Sequence, residues 1–198
     1  YIDLRQNNSI SHITNIIKII SNDNNEAKDF VVLASSTKLL RNIDILYRQK
    51  TNEQTEITFI SNEVLERLKQ IHLVTDEKVA NWKFNRDFEA LERTRKQLFT
   101  TDKRCLKIST IQSFKGWESP SVIVILESDL TLHNTIFRPM SPQTIYTAIT
   151  RARENLYIIN IGNDIITISS QSDSMNSFTT IEKYAIIKVL SHIMKADG

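Results

Sequence analysis

Ile10, Ile13, Ile16, Ile17 and Ile20 recur at helical spacing behind two capping hydroxyls, Ser9 and Ser11, so an amphipathic helix is expected there. Asp29 to Ser35 reads Asp-Phe-Val-Val-Leu-Ala-Ser, a buried strand by its apolar run. A helix through Leu39, Leu40, Ile43 and Leu46 follows, then a short strand at Ile57, Phe59 and Ile60. Ser61-Asn62-Glu63 resembles a helix cap and leads into Val64, Leu65, Leu68 and Ile71. From about Ile71 to Arg104 the pattern loosens around Trp82 and Phe84, before a charged helix carrying Phe88, Leu91 and Leu98.

Leu106 to Thr110 returns to strand alternation. Ser121 to Leu126 is almost continuously apolar, as a central parallel strand covered on both faces should be. A polar loop with Pro139 and Pro142 precedes a helix through Ile145, Ala148 and Ile149. Leu156 to Ile161 makes a further strand and Ile181 to Met194 a terminal helix. Strands alternating with helices at these lengths predict a three-layer α/β fold, a parallel sheet with flanking helices. The 198 residues suit one domain, with a short insertion at about 71–104 and a C-terminal helical extension at about 177–196.

Composition changes this picture little. At 40% hydrophobic and 24% charged the chain is globular in character. It opens at Tyr1 without an initiator Met, so a fragment or processed chain is expected. No apolar run of membrane-spanning length and no basic-then-apolar leader occurs, so no membrane partner is expected. One cysteine, Cys105, cannot form an internal disulfide; a reducing cytoplasm fits, with Cys105 a small buried hydrophobe at a strand start. His12, His72, His133 and His192 are scattered without metal-ligand spacing. The net charge of +2 decides nothing, but its distribution says more. Arg93, Arg95, Lys96, Lys103, Arg104, Lys107 and Lys115 face Asp102 alone between positions 93 and 115, either a footprint for phosphates or a solvated basic face.

Two segments carry candidate chemistry. Thr110-Ile111-Gln112-Ser113-Phe114-Lys115-Gly116-Trp117-Glu118 joins two strands and is expected at the carboxyl edge of the sheet, the usual ligand edge of such folds. Gly116, one of three glycines, points to close backbone approach or a positive φ, or to an ordinary turn. Tyr146-Thr147-Ala148-Ile149-Thr150-Arg151-Ala152-Arg153-Glu154 sets two arginines at a helix end, where forked guanidinium groups reach anionic oxygens or form a surface ion-pair cluster with Glu154.

Together and in this order the two segments resemble motifs V and VI of the UvrD/Rep/PcrA superfamily 1 DNA helicases, and Leu4 to Ser9 resembles a degraded motif IV. The resemblance covers residues 1 to about 161 and implies a C-terminal RecA-like motor domain of an ATP-dependent 3′→5′ translocase. It places Arg151 on the arginine finger that faces the nucleotide γ-phosphate from across the domain cleft. Such fingers raise rates roughly 10³–10⁵-fold in other phosphoryl-transfer enzymes. It places Glu118 at the nucleotide ribose, with Gly116 shaping the same loop. Arg153 falls beside the nucleotide or braces the loop through Glu154 or Glu118. Thr110, Gln112 and Lys115 fall on the single-stranded DNA track. ATP and Mg²⁺ are implied as cofactors, shared with an upstream N-terminal RecA-like domain.

Three positions depart from that family's pattern: Gln112 replaces a usual His, Trp117 a usual Leu, and Ser9 a usual phosphate-binding Arg. Trp117 is read as a bulkier packing residue or as a stacking platform. No G-x-x-x-x-G-K-[ST] phosphate loop occurs in these 198 residues, so hydrolysis by this chain alone is not expected. Two other readings stand beside the DNA motor: a non-catalytic nucleic-acid-binding or scaffold domain that kept the fold, and an RNA-directed superfamily 1 relative.

Overall fold

A computed structural model describes residues 1–4, 9–23, 29–74, 81–127 and 140–163. Along the chain these form β1 (Ile2–Asp3), α1 (Ile10–Asp23), β2 (Phe30–Ala34), α2 (Thr37–Thr51), β3 (Thr55–Ile57) and α3 (Asn62–His72). α4 (Trp82–Leu98), β4 (Leu106–Thr110), β5 (Ser119–Leu126), α5 (Pro142–Ile149) and β6 (Ala152–Asn160) follow. The six strands lie in the order β1-β6-β5-β2-β4-β3. Every neighbouring pair is parallel.

Alternation along the central strands sorts the core into two layers. Phe30, Val32, Ala34, Ile123 and Ile125 face one way, against Ile13, Ile17 and Ile20 of α1 and Leu39, Leu40, Ile43 and Tyr47 of α2. Val31, Leu33, Val122, Val124 and Leu126 face the other way, against Ile145 and Ala148 of α5 and Ile111 and Phe114 of the β4–β5 connection. This is the expected three-layer α/β arrangement, RecA-like. Each fully buried Ile or Leu side chain contributes about 1.5–3 kcal/mol.

Helix starts follow the capping logic of the sequence. Ser9 accepts at its carbonyl from the Ile13 amide (3.0 Å) and at Oγ from the His12 amide (3.3 Å). Ser36 caps α2 by accepting from the Leu39 amide, and Ser61 likewise caps α3.

Several boundaries differ from the sequence expectation. β3 ends at Ile57, so Phe59 and Ile60 are buried beyond the strand rather than in it. β6 begins at Ala152 instead of Leu156, because pairing with β5 extends through Arg153, Glu154 and Asn155, whose exposed side chains carry no apolar signal. β5 begins at Ser119, with a register irregularity around Pro120, which lacks an amide to donate. Within the 71–104 interval, Phe84 of α4 joins Ile60, Leu65 and Leu68 in a third small core that the loose sequence pattern did not show. Lys107, counted among the basic surface residues, is in fact buried at 1% exposure, since β4 lies between β2 and β3 with both faces covered. Burial pushes its ammonium pKa down. Cys105, just before β4, is half-buried. The expected polar loop at Pro139, the helix at 181–194 and most of the degraded motif IV fall outside the described residues.

At the carboxyl edge, β2 is followed by α2 on one face and β5 by α5 on the other, which makes the β2–β5 crevice a topological switch point. The chain itself fills this crevice. Glu127, buried at the end of β5, accepts the Ser36 amide hydrogen at both carboxylate oxygens (3.0 and 3.1 Å). Asn163 donates to the Glu127 carbonyl at 3.0 Å, and Asn160 orders the same edge by accepting from the Gly162 and Asn163 amides. Burial raises the Glu127 pKa to about 7, against which the Ser36 and Ser35 amides pull it down.

A carboxyl whose folded pKa is raised holds its proton more tightly folded than unfolded, so stability falls as pH rises from the unfolded value towards the folded one. The penalty is complete above about pH 7 and absent below the ordinary Glu value of 4.5. At about 1.4 kcal/mol per pKa unit it amounts to about 3 kcal/mol at most. Glu127→Gln, which keeps an acceptor for Ser36, is therefore expected to raise the unfolding temperature at pH 8 and to lose that advantage at pH 5. Thermal unfolding at the two pH values tests this; an equal effect at both would contradict it.

Candidate nucleotide and nucleic-acid site

The connection between β4 and β5 fixes where the candidate residues stand. Thr110 ends β4 beside Ala34, at the carboxyl edge. Ser119 begins β5 two residues before the partner of Phe30, at the amino edge. Those edges are roughly 20 Å apart at strand rise, and residues 111–118 span them. The expectation that this whole segment lies at the carboxyl edge is therefore corrected in part: Thr110 and the turn hydrogen-bonded to it lie there, and the segment's end at Glu118 lies by the other edge. A parallel sheet requires this, because each strand must restart at the edge opposite its predecessor's end.

The crossing is a series of tight turns pinned by two apolar side chains. Ile111 and Phe114 are buried against the sheet, and Phe99 meets Phe114 edge-on at 6.2 Å. Thr110 accepts from the Ser113 amide at Oγ1 (3.1 Å) and donates to the Ser113 hydroxyl (2.8 Å). Its side chain is thus occupied in shaping the turn. Gln112 and Lys115 are exposed on the way across. Gly116 has φ +92, and a Cβ placed there would meet nothing within 4 Å. Its need for glycine is conformational, and the space beside it is open. Trp117 packs edge-on against Phe99 at 6.0 Å, in keeping with a packing residue, and stays 40% exposed.

At the amino edge the two segments meet. The Ser119 amide donates to the Arg151 carbonyl at 3.0 Å, and Ser119 pairs with Ala152. The Arg151 guanidinium curls over the end of α5: Nε donates to the Thr147 carbonyl (3.1 Å) and NH2 to the Thr150 hydroxyl (3.1 Å). NH1 reaches the Trp117 carbonyl at 3.4 Å. All three acceptors are uncharged, and Arg151 makes no ion pair among the described residues. Arg153 sits 3.9 Å from Glu118, both side chains over half exposed, so this pair is weak. The brace for Arg153 is Glu118 rather than Glu154. Gly116, Glu118, Arg151 and Arg153 thus share one rim, whereas Thr110 lies at the other edge and Gln112 and Lys115 between. Ser113, Thr147 and Thr150, which set this geometry, were not singled out from the sequence. Their signal was the hydroxyls at short helical spacing inside the two segments.

A family model for the viral superfamily 1 RNA helicase core domain matches residues 16–160, a span that includes both segments. The chain belongs to this family. No curated protein matches it. The family overturns the narrower resemblance to UvrD/Rep/PcrA DNA helicases, and single-stranded DNA as partner loses its support, as does the 3′→5′ direction that came with it. The two segments do not separate DNA-directed from RNA-directed motors. Gln112 in place of the DNA family's usual His and the short 71–104 interval were departures from that family's pattern. As a viral-type helicase core domain the chain is part of an NTP-driven enzyme, of a kind that uses NTP and Mg²⁺. Among the described residues no group of three His, Cys, Asp or Glu side chains is placed to hold a metal ion. No helix among them is long and apolar enough to cross a membrane.

Gly116→Ala is expected to cost about 1–2 kcal/mol of stability through its backbone angle. Gly116→Asn should cost less, since Asn accepts positive φ more readily. Chemical denaturation of the helicase core distinguishes this from a steric clash, in which the larger Asn would be the worse substitution.

Proposed function

We propose that this chain is the second motor domain of an ATP-driven, RNA-directed superfamily 1 helicase, with Arg151 as its arginine finger. The observation that carries the reading is the state of that guanidinium. It stands on a rim with Glu118, fixed in direction by three neutral acceptors and, among the described residues, neutralised by no carboxylate. A permanent positive charge so held suits the developing negative charge of a phosphoryl group presented by another domain. Glu118 would accept from nucleotide ribose hydroxyls, with Arg153 limiting its swing. Gly116 leaves its backbone open to close approach. Mg²⁺ and the phosphate loop belong, in this reading, to the upstream N-terminal RecA-like domain, and the 198 residues act with it as one C-terminal motor domain.

Gln112 and Lys115 are the exposed hydrogen-bonding and cationic groups of the crossing, suited to the RNA backbone; Thr110 holds their turn. The Gln112 amide offers both donor and acceptor, which matches a 2′-hydroxyl. RNA rather than DNA as the substrate is supported by the family's description.

In the full-length enzyme, Arg151→Ala is expected to lower RNA-stimulated ATP turnover roughly 10³-fold or more while nucleotide binding is largely kept. Arg151→Lys, which keeps charge at the α5 end but loses the fork, should restore stability more than turnover. Steady-state ATPase assays with a fluorescent-nucleotide binding measurement check this. Normal turnover in Arg151→Ala would reduce Arg151 to a helix cap. Stimulation by DNA equal to that by RNA would remove the substrate assignment.

A further inference from the structure

α4 is held at its ends and little between. Phe84 is buried in the small core with α3, and Phe99, just past the helix, packs on Phe114 and Trp117 of the crossing. From Glu89 to Leu98 every residue except Glu92 is exposed. Most of its basic side chains share one side, Arg95 excepted. Trp82, Arg86, Ala90, Arg93 and Gln97 follow at helical spacing and form one stripe, opposite Phe84 and Phe88. Lys83 and Lys96 flank it, and Glu89 is the one acid within it.

Trp82 is 65% exposed at the first turn, with the Lys83 ammonium 5.8 Å and the Arg86 guanidinium 5.4 Å from its ring centroid. Single exposed apolar residues are ordinary. An exposed indole between two cations, at the head of a cationic stripe, has the composition of a single-strand contact: a flat face for a base and charges for its phosphates. The ion pairs on the stripe, Arg86 with Asp87 at 2.9 Å, Arg93 with Glu89 at 3.6 Å and Lys96 with Glu92 at 4.0 Å, are all at least partly exposed. Pairs of this kind are worth only about 0.3–0.5 kcal/mol, so phosphates can displace them.

We propose that the outward face of α4 is a second contact for single-stranded RNA, with Trp82 stacking on an unpaired base and Lys83, Arg86, Arg93 and Lys96 meeting the phosphates. The inference rests on the RNA-motor reading and adds a surface that the crossing between β4 and β5 does not contain. Phe99 ties the end of α4 to that crossing, so a strand leaving Lys115 has a short path to the helix.

The test uses full-length protein and a labelled oligouridylate, with affinity measured by fluorescence anisotropy across a salt series. Trp82→Ala is expected to weaken binding about tenfold. Arg86→Gln with Arg93→Gln should reduce the slope of log affinity against log salt by about 1.4. Both sites are exposed, and unchanged thermal unfolding verifies that the variants fold. Variants that bind single-stranded RNA like the parent, or a Trp82 effect equally large on duplex RNA, overturn the α4 contact alone. A parent protein whose ATP turnover RNA does not stimulate overturns the motor reading and this inference with it.

Discussion

Every strand in this sheet is parallel to its neighbours, so each connection must carry the chain from the carboxyl edge back to the amino edge. Elsewhere helices do this. Between β4 and β5 only residues 111–118 are available, and they do it as a turned segment nailed to the sheet by Ile111 and Phe114. That economy couples two places. A side chain on the crossing is mechanically continuous with Thr110 at one edge and with Glu118 at the other, and Arg151 grips its far end through the Trp117 carbonyl.

The carboxyl edge explains why the rim matters. Open parallel sheets present their ligand crevice where the strand order reverses. Here the β2–β5 crevice holds the chain's own carboxylate, Glu127, on the Ser36 amide, and the N-terminus of α2 is capped by Ser36 itself. An anionic ligand would have to displace a buried acid and then share the site with it. The fold's usual binding position is thereby closed, consistent with a sequence that contains no phosphate loop. What the domain leaves open is the amino rim, with Arg151, Glu118 and open space beside Gly116.

Much of this was legible in the residues. Ile13, Ile17 and Ile20, and the near-continuous Val122–Leu126 run, announced their helix and central strand because burial was both periodic and complete. Two short segments announced the site because their residue types are chemically unusual in combination. What could not be read was set by pairing rather than by composition. Arg153 to Asn155 belong to β6 only because Ser119 and Ser121 stand opposite, and Lys107 is buried only because β3 and β2 flank its strand. The edge on which Gly116 and Glu118 stand likewise depends on strand order, which no local pattern encodes. The nucleic-acid class was misjudged because the two segments do not separate DNA-directed from RNA-directed relatives.

The bonds that hold Arg151 also define how it can work. In this domain it closes the C-terminal end of α5, where carbonyl oxygens carry the negative end of the helix dipole. Hydrogen bonds to neutral acceptors contribute on the order of 1 kcal/mol net, whereas those to phosphate oxygens are charge-assisted and about twice as strong. A phosphate brought to the rim can therefore draw the NH1 and NH2 groups away from Trp117 and Thr150 while Nε keeps Thr147. The guanidinium then pivots about a fixed nitrogen instead of searching for its place. The contact it gives up first is the longest, the one to Trp117 at 3.4 Å. That contact is also the link to the crossing, so in the proposed finger role docking of a nucleotide would loosen the hold of Arg151 on the segment between β4 and β5.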